Sequence, residues 1–292
     1  MKIGVVFPQT EIGADPGGLR AYAEAAEALG IDYILFYEHI LGADVNSHQP
    51  WKGVYDARHM FHEPFVLFGF LAACTKRIEF VTGVVVSPLR QTALLAKQAA
   101  EADVLSNGRV RLGIGVGWNQ VEYEALGVDV HKRGAIQEEQ IEVMRQLWTK
   151  PVVTFKGRFH TITAAGLNPM PVQRPIPIWM GTYSERGLRR AGRFADGIIP
   201  AGPGLSDRLK DIVNAFRRHA KEAGRDPAKL GIDASVVLAN STPEQCAANA
   251  LEWKAFGATH VRINTMDCGL KGAQAHIEAM RQWREALKKT GV

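Results

Sequence analysis

K-R-I-E-F-V-T-G-V-V-V-S-P-L-R-Q-T-A-L-L-A-K-Q-A-A-E-A-D-V-L-S-N-G-R-V-R-L-G-I-G-V-G, residues Lys76–Gly117, carries the pattern on which the fold turns. Two runs rich in β-branched residues, Ile78–Val86 and Val110–Val116, flank a segment, Gln91–Leu105, with apolar residues at Leu94, Leu95, Ala99, Ala102 and Leu105. Side chains three and four positions apart share a helix face, so the middle reads as helix and the flanks as strands. Ser106-Asn107-Gly108 closes the helix, because Asn and Gly tolerate the left-handed conformation of a C-terminal cap. Parallel strands need such a crossover, and the polar or glycine-rich segment after each strand carries the chemistry of α/β folds.

The alternation extends both ways. Upstream lie a strand at Ile3–Phe7, a helix at Gly17–Leu29 and a strand at Asp32–Phe36. A long irregular stretch, 40–62, then leads to a helix at Glu63–Cys74. Downstream come a short helix near Val121–Leu126 and a longer one at Arg133–Trp148. Residues 150–176 interrupt the rhythm: Val152–Phe155 and Phe159–Ile162 read as a hairpin, followed by Pro169, Pro171 and Pro175. This is an excursion or lid outside the main scaffold. Strands at Ile176–Met180, Gly197–Pro200, Leu230–Leu238 and Thr259–Ile263 then alternate with helices at Ser184–Phe194, Leu205–Ala223, Pro243–Phe256 and Ala273–Lys289. Thr242 and Pro243 supply an N-cap and a first helical position. Eight βα units in 292 residues predict a single (β/α)8 TIM barrel spanning 1–292, with the insert at about 150–176. An open doubly wound sheet would place a glycine-rich phosphate turn after the first strand, where this chain has Phe7-Pro8-Gln9-Thr10.

Bulk properties narrow the function. Hydrophobic residues make up 46% and charged residues 22%, as in a soluble enzyme. No apolar run approaches the ~20 residues that span a bilayer, so no membrane partner is expected. Met1–Phe7 lacks the apolar core of a signal peptide, and a cytoplasmic protein is expected. The net charge of +5 is scattered rather than striped, which argues against nucleic acid. Cys74, Cys246 and Cys268 lack zinc or disulfide spacing, and His48, His59 and His62 lack ligand spacing, so no metal is assigned. No nucleophile elbow or P-loop is present, nor a supported carboxylate pair, which disfavours hydrolase, kinase and glycosidase readings.

The strand ends hold the candidates. Gly113-Ile114-Gly115-Val116-Gly117 is a poor dinucleotide fingerprint, with Trp118 in sixth place. Alternating glycines in a strand admit a close backbone or a flat ring, and Trp118-Asn119 follows at the barrel mouth. Glu38-His39 ends the second strand; a histidine there can move a proton near neutral pH, though position alone equally allows an exposed loop histidine. Gly181-Thr182-Tyr183-Ser184 opens a helix, which fits either a phosphate site or an ordinary serine cap.

Nearly the whole chain resembles the bacterial luciferase-like superfamily of flavin- and deazaflavin-dependent oxidoreductases, most closely its F420-dependent branch. The carriers are Tyr37-Glu38-His39, Glu63-Pro64-Phe65, Thr75-Lys76-Arg77-Ile78 and Thr82-Gly83-Val84-Val85-Val86. They continue through Leu95-Ala96-Lys97-Gln98, Leu105–Val110, Leu112–Asn119, Leu126-Gly127, Arg133, Gly157-Arg158-Phe159 and Pro177–Gly181. The resemblance implies an insertion after the fourth βα unit and a tricyclic cofactor in the mouth. It implies a non-prolyl cis peptide at Gly83-Val84, in a bulge that supports the ring together with Val85. The branch's Asp-His pair carries over onto Glu38 and His39 as catalytic residues, with the acid one methylene longer. Trp118 and Asn119 correspond to ring-side residues. The phosphate loop corresponds to Gly181-Thr182, extended by Tyr183 and Ser184, with Thr in place of a second Gly. The expected activity is F420-dependent hydride transfer to or from a small organic substrate, in a homodimer. The alternative is a monooxygenase using reduced FMN and oxygen. A non-catalytic flavin-binding member and a hydrolytic or aldol barrel are the other classes; the polar groups at the mouth count against the first, and the lack of a metal cluster or strand-end lysine against the second.

Overall fold

The alternation closes into a ring of parallel strands in a computed structural model that describes residues 1–291. Val292, the last residue of the expected domain, lies outside the described residues. In chain order the elements are β1 (Lys2–Val6), α1 (Pro16–Ala28), β2 (Tyr33–Phe36), α2 (Pro64–Cys74), β3 (Glu79–Thr82), β4 (Val85–Val86), α3 (Thr92–Leu105), β5 (Val110–Gly115), α4 (Gln120–Ala125) and α5 (Arg133–Thr149). They continue as β6 (Val153–Lys156), β7 (Thr161–Ala165), β8 (Ile178–Met180), α6 (Glu185–Phe194), β9 (Gly197–Ile198), α7 (Asp207–Glu222), β10 (Gly231–Val237), α8 (Pro243–Phe256), β11 (His260–Asn264) and α9 (Gly272–Lys289). Pairing runs β3-β2-β1-β11-β10-β9-β8-β5 and returns from β5 to β3, so the sheet is a closed barrel with β4 continuing the third strand. The punctuation residues act as read: Asn107 and Gly108 adopt φ of 57° and 79° after α3, and Thr242 forms a capping box with Gln245.

The third strand is where the barrel departs from regularity. Val81 pairs with Arg111 and Val85 with Ile114, so four steps along this strand match three along β5. The extra residue makes a bulge, and the Gly83–Val84 peptide inside it is cis. The bulge removes the ladder partner of Gly113. The Thr82 hydroxyl takes its place, donating to Gly113 O at 2.7 Å and accepting from Gly113 N–H at 2.8 Å. A Cβ on Gly113 would lie 1.9 Å from Thr82 O, which is why this strand position carries none.

The hairpin β6–β7 falls between α5 and β8 and is tied to the barrel wall. Glu139 of α5 accepts the backbone N–H groups of Arg158, Phe159 and His160 at 2.7–2.8 Å. The His160 ring bridges Glu139, at 2.7 Å from Nδ1, and Thr92 of α3, at 2.6 Å from Nε2. Burial pushes the Glu139 carboxyl up, but these four bonds outweigh it and hold its pKa below the ordinary value.

Candidate active site

Inside the barrel, Val6, Leu35, Val81, Ile199 and Met266 form an apolar plug, with Tyr37 and Val84 packed against it. The C-terminal strand ends lie at the other side of these two residues. Val84 rests on bare backbone: a Cβ at Gly115 would come within 2.5 Å of its Cγ2, and one at Gly181 within 2.8 Å of its Cγ1. The third strand's bulge and the ends of β5 and β8 therefore meet without intervening side chains. Trp118 and Tyr183 stand at the same face, each 46% exposed.

His39 follows β2 and enters an aromatic enclosure. Its ring centroid lies 4.9 Å from Phe61, 5.3 Å from Trp118 and 5.4 Å from Tyr55. Nδ1 is 3.4 Å from Glu122 Oε2, and that carboxylate is buried. Glu122 Oε1 also accepts the N–H groups of Ile40, at 2.6 Å, and Leu41, at 3.3 Å. Burial alone would raise the Glu122 pKa; His39 and these two N–H groups outweigh it and hold the carboxyl below its usual range. The pairing matters chemically because a carboxylate behind one imidazole nitrogen sets the tautomer and stabilises the imidazolium.

The expected Glu38–His39 pair is not what the geometry forms. The Glu38 carboxylate turns away, accepting Val86 N–H at 2.9 Å and bonding Arg90, which also reaches Glu63 at 2.7 Å. Glu38 thus ties the second strand to the end of the third. Asn119 is likewise committed: it caps α4 through Val121 N–H at 3.2 Å and donates to Leu41 O at 3.0 Å. Ser184 caps α6 through Gly187 N–H at 3.2 Å, Thr182 is half-buried, and the Tyr183 hydroxyl accepts Ala201 N–H at 3.2 Å. Among the described residues no group of three or more His, Cys, Asp or Glu could hold a metal ion, and no helix is long and apolar enough to cross a membrane.

A family model described as luciferase-like monooxygenase matches residues 1–290. The chain belongs to the luciferase-like monooxygenase family. Relatives of this luciferase-like chain include an "uncharacterized protein" of Mycobacterium tuberculosis, 36% identical over 208 residues, covering 70% of this chain and 71% of that protein. The F420-dependent glucose-6-phosphate dehydrogenase of Kineococcus radiotolerans is 29% identical over 252 residues, 84% of this chain and 70% of that one. The solved structure of an F420-dependent secondary alcohol dehydrogenase in complex with an F420-acetone adduct superposes with a TM-score of 0.78 at 20% identity, over 98% of both chains.

Glu122 is the residue of this candidate site that the sequence reading missed. It lies three residues after the N-cap Asn119, the spacing of a capping box, so the pattern assigns it to the helix end. Its turn towards His39 is set by loop 40–62, whose path no local pattern encodes.

Proposed function

We propose that this chain is an F420-dependent oxidoreductase that moves a hydride to or from a small organic substrate. The observation that carries the reading is His39 at the mouth with buried Glu122 on its Nδ1. Hydride transfer to a carbonyl, or from an alcohol, needs a partner that gives or takes a proton at the oxygen, and an oriented imidazole does this near neutral pH. The residues present fit a planar cofactor: Val84 lying on bare Gly115 and Gly181 makes a floor without projecting side chains, and Trp118 and Tyr183 are half-exposed rings beside it. Gly83, Val84 and Val85 would support the ring, and Gly181–Ser184 with the first N–H groups of α6 would hold its phosphate. The bound deazaflavin would supply or accept the hydride. The protein's part is to stack it, keep water out and manage the proton at His39 Nε2.

Anaerobic titration of the apoprotein with F420 and with FMN, followed by absorbance and fluorescence, tests the choice. Saturable F420 binding with weak FMN binding is expected. Tight FMN binding without F420 binding overturns it in favour of a reduced-FMN monooxygenase.

The chain is further proposed to be a homodimer. α2 reads PFVLFGFLAAC, apolar all round, and such helices are covered on both sides. Its outer face leaves Val66 74% and Phe70 39% exposed, with Leu105 of α3 beside Gly69. Sedimentation is expected to give a dimer, and Val66→Glu with Phe70→Glu a monomer; a monomeric parent refutes this.

A further inference from the structure

We propose that His59, paired with Asp56, is a second proton-handling residue that resupplies His39 through water held in a small cavity between them. The proposal deepens the reading of His39 given above and rests on it. Both histidines line one cavity of about 110 Å³, together with Tyr55 and the segment 40–42. Tyr37, Val84, Gly115 and Gly181 do not line it. It is therefore a space separate from the floor around Val84. A water needs about 10–15 Å³ of such volume, so the cavity has room for several.

Both rings are anchored the same way. His39 presents Nδ1 to Glu122 at 3.4 Å, and His59 presents Nδ1 to Asp56 Oδ1 at 3.1 Å. Neither Nε2 has a hydrogen-bond partner among the described residues. The His59 side chain is 33% exposed against 11% for His39, so one end of the cavity meets solvent and the other meets the mouth. Tyr55 stands between them, its ring centroid 5.4 Å from each imidazole.

The His59 anchor has a property that a relay needs. Its Nδ1 is 3.1 Å from Asp56 N–H as well as 3.1 Å from Asp56 Oδ1. With Nδ1 bare, it accepts the peptide N–H and the proton sits on Nε2. With Nδ1 protonated, it donates to the carboxylate and Nε2 is free to accept. Nδ1 finds a partner on Asp56 in either tautomer, so the ring keeps its anchor whichever nitrogen carries the proton. The charged groups facing the pair are Glu122 on His39, and Asp56 with Arg58 on His59. Arg58 bonds both Asp56 oxygens, at 2.6–3.2 Å, and holds that carboxyl well below its usual range. In the reducing direction, His39 Nε2–H gives its proton to the substrate oxygen. Cavity water passes a proton to the bare Nε2 and takes one from the Nε2–H of a His59 imidazolium, whose Nδ1–H stays on the Asp56 carboxylate, and solvent reprotonates His59. One proton moves from bulk to substrate, and the reverse holds for oxidation; these residues move no electrons.

Histidine-selective heteronuclear NMR of the apoprotein reads the relay without cofactor or substrate. The rings of Phe61, Trp118 and Tyr55 enclose His39, so its Nε2 proton should exchange with water through the cavity. In His59→Gln that exchange is expected to slow at least about tenfold, and added imidazole is expected to restore it. An unchanged exchange rate overturns the proposal. So does a slowing that imidazole does not relieve, because that marks a packing role. Loss of turnover in His39→Ala beside normal exchange in His59→Gln would remove the relay and leave the reading of His39 standing; full turnover in His39→Ala would remove both.

Discussion

His39→Ala is expected to lower turnover by about two to four orders of magnitude and to leave the fold in place. The imidazole is partly exposed, makes its polar contact with Glu122 and packs edge-on against Phe61 and Trp118 and tilted against Tyr55, so alanine removes little that holds the barrel together. It does remove the group that can deliver or take up a proton where charge develops on the substrate oxygen. Glu122 loses His39, the largest of the groups that lower its pKa, but keeps its two peptide N–H donors in the variant. The loss therefore falls on the chemical step and lowers kcat more than it raises KM. Steady-state kinetics of the cofactor-loaded enzyme, with circular dichroism as the control for folding, measures this. Parental kcat in His39→Ala would take His39 out of the chemistry.

The barrel was readable because alternation, caps and turn residues agree along the whole chain. Its boundaries were less so. The fifth barrel strand was expected from Ile176, but β8 begins at Ile178, because Pro177 has no N–H for the ladder and offers only its carbonyl, to Leu112. The sixth barrel strand, expected over Gly197–Pro200, is a two-residue strand. The bulge at Gly83-Val84 came from resemblance alone. Nothing local to V-T-G-V-V says that the Thr82 hydroxyl will stand in for two backbone groups of another strand. The site was legible by location, since strand ends lie at the mouth, but not by partnership. Glu38 was assigned to His39 by the resemblance, whereas burial beside Arg90 gave it a different partner. Glu122 and Asp56 face their histidines through the fold of loop 40–62, where side-chain direction has no period to reveal it.

Asp233→Asn is expected to cost about 3–5 kcal/mol of stability, the range for stranding a buried charge. Asp233 is fully buried in the barrel and accepts from Arg111 Nη1 at 2.9 Å, Arg262 Nη1 at 2.7 Å and the Tyr33 hydroxyl at 2.6 Å. Arg111 lies between the rings of Tyr33 and Trp179, 4.7 and 4.3 Å from their centroids. His260 adds no charge near neutral pH, because burial, with Arg111 nearby, pushes its pKa down to about 3. Two guanidinium groups thus share one carboxylate, and Arg111 Nε and Nη2 and Arg262 Nε already lack a hydrogen-bond partner among the described residues. Asparagine keeps the shape and removes the counter-charge that both cations share, so they stay buried and uncompensated. Arg262→Met should be milder, because it leaves one cation with one anion. The sign with pH follows from the same arrangement. Burial would raise the Asp233 pKa, but the two guanidinium groups outweigh it and hold it below its unfolded value. Its contribution is therefore complete above an unfolded pKa of about 4 and is lost as pH falls through the lower folded value. Urea titrations at neutral and acid pH should show the gap between parent and Asp233→Asn closing at the acid end. Equal midpoints at neutral pH would mean that the two cations do not depend on this carboxylate.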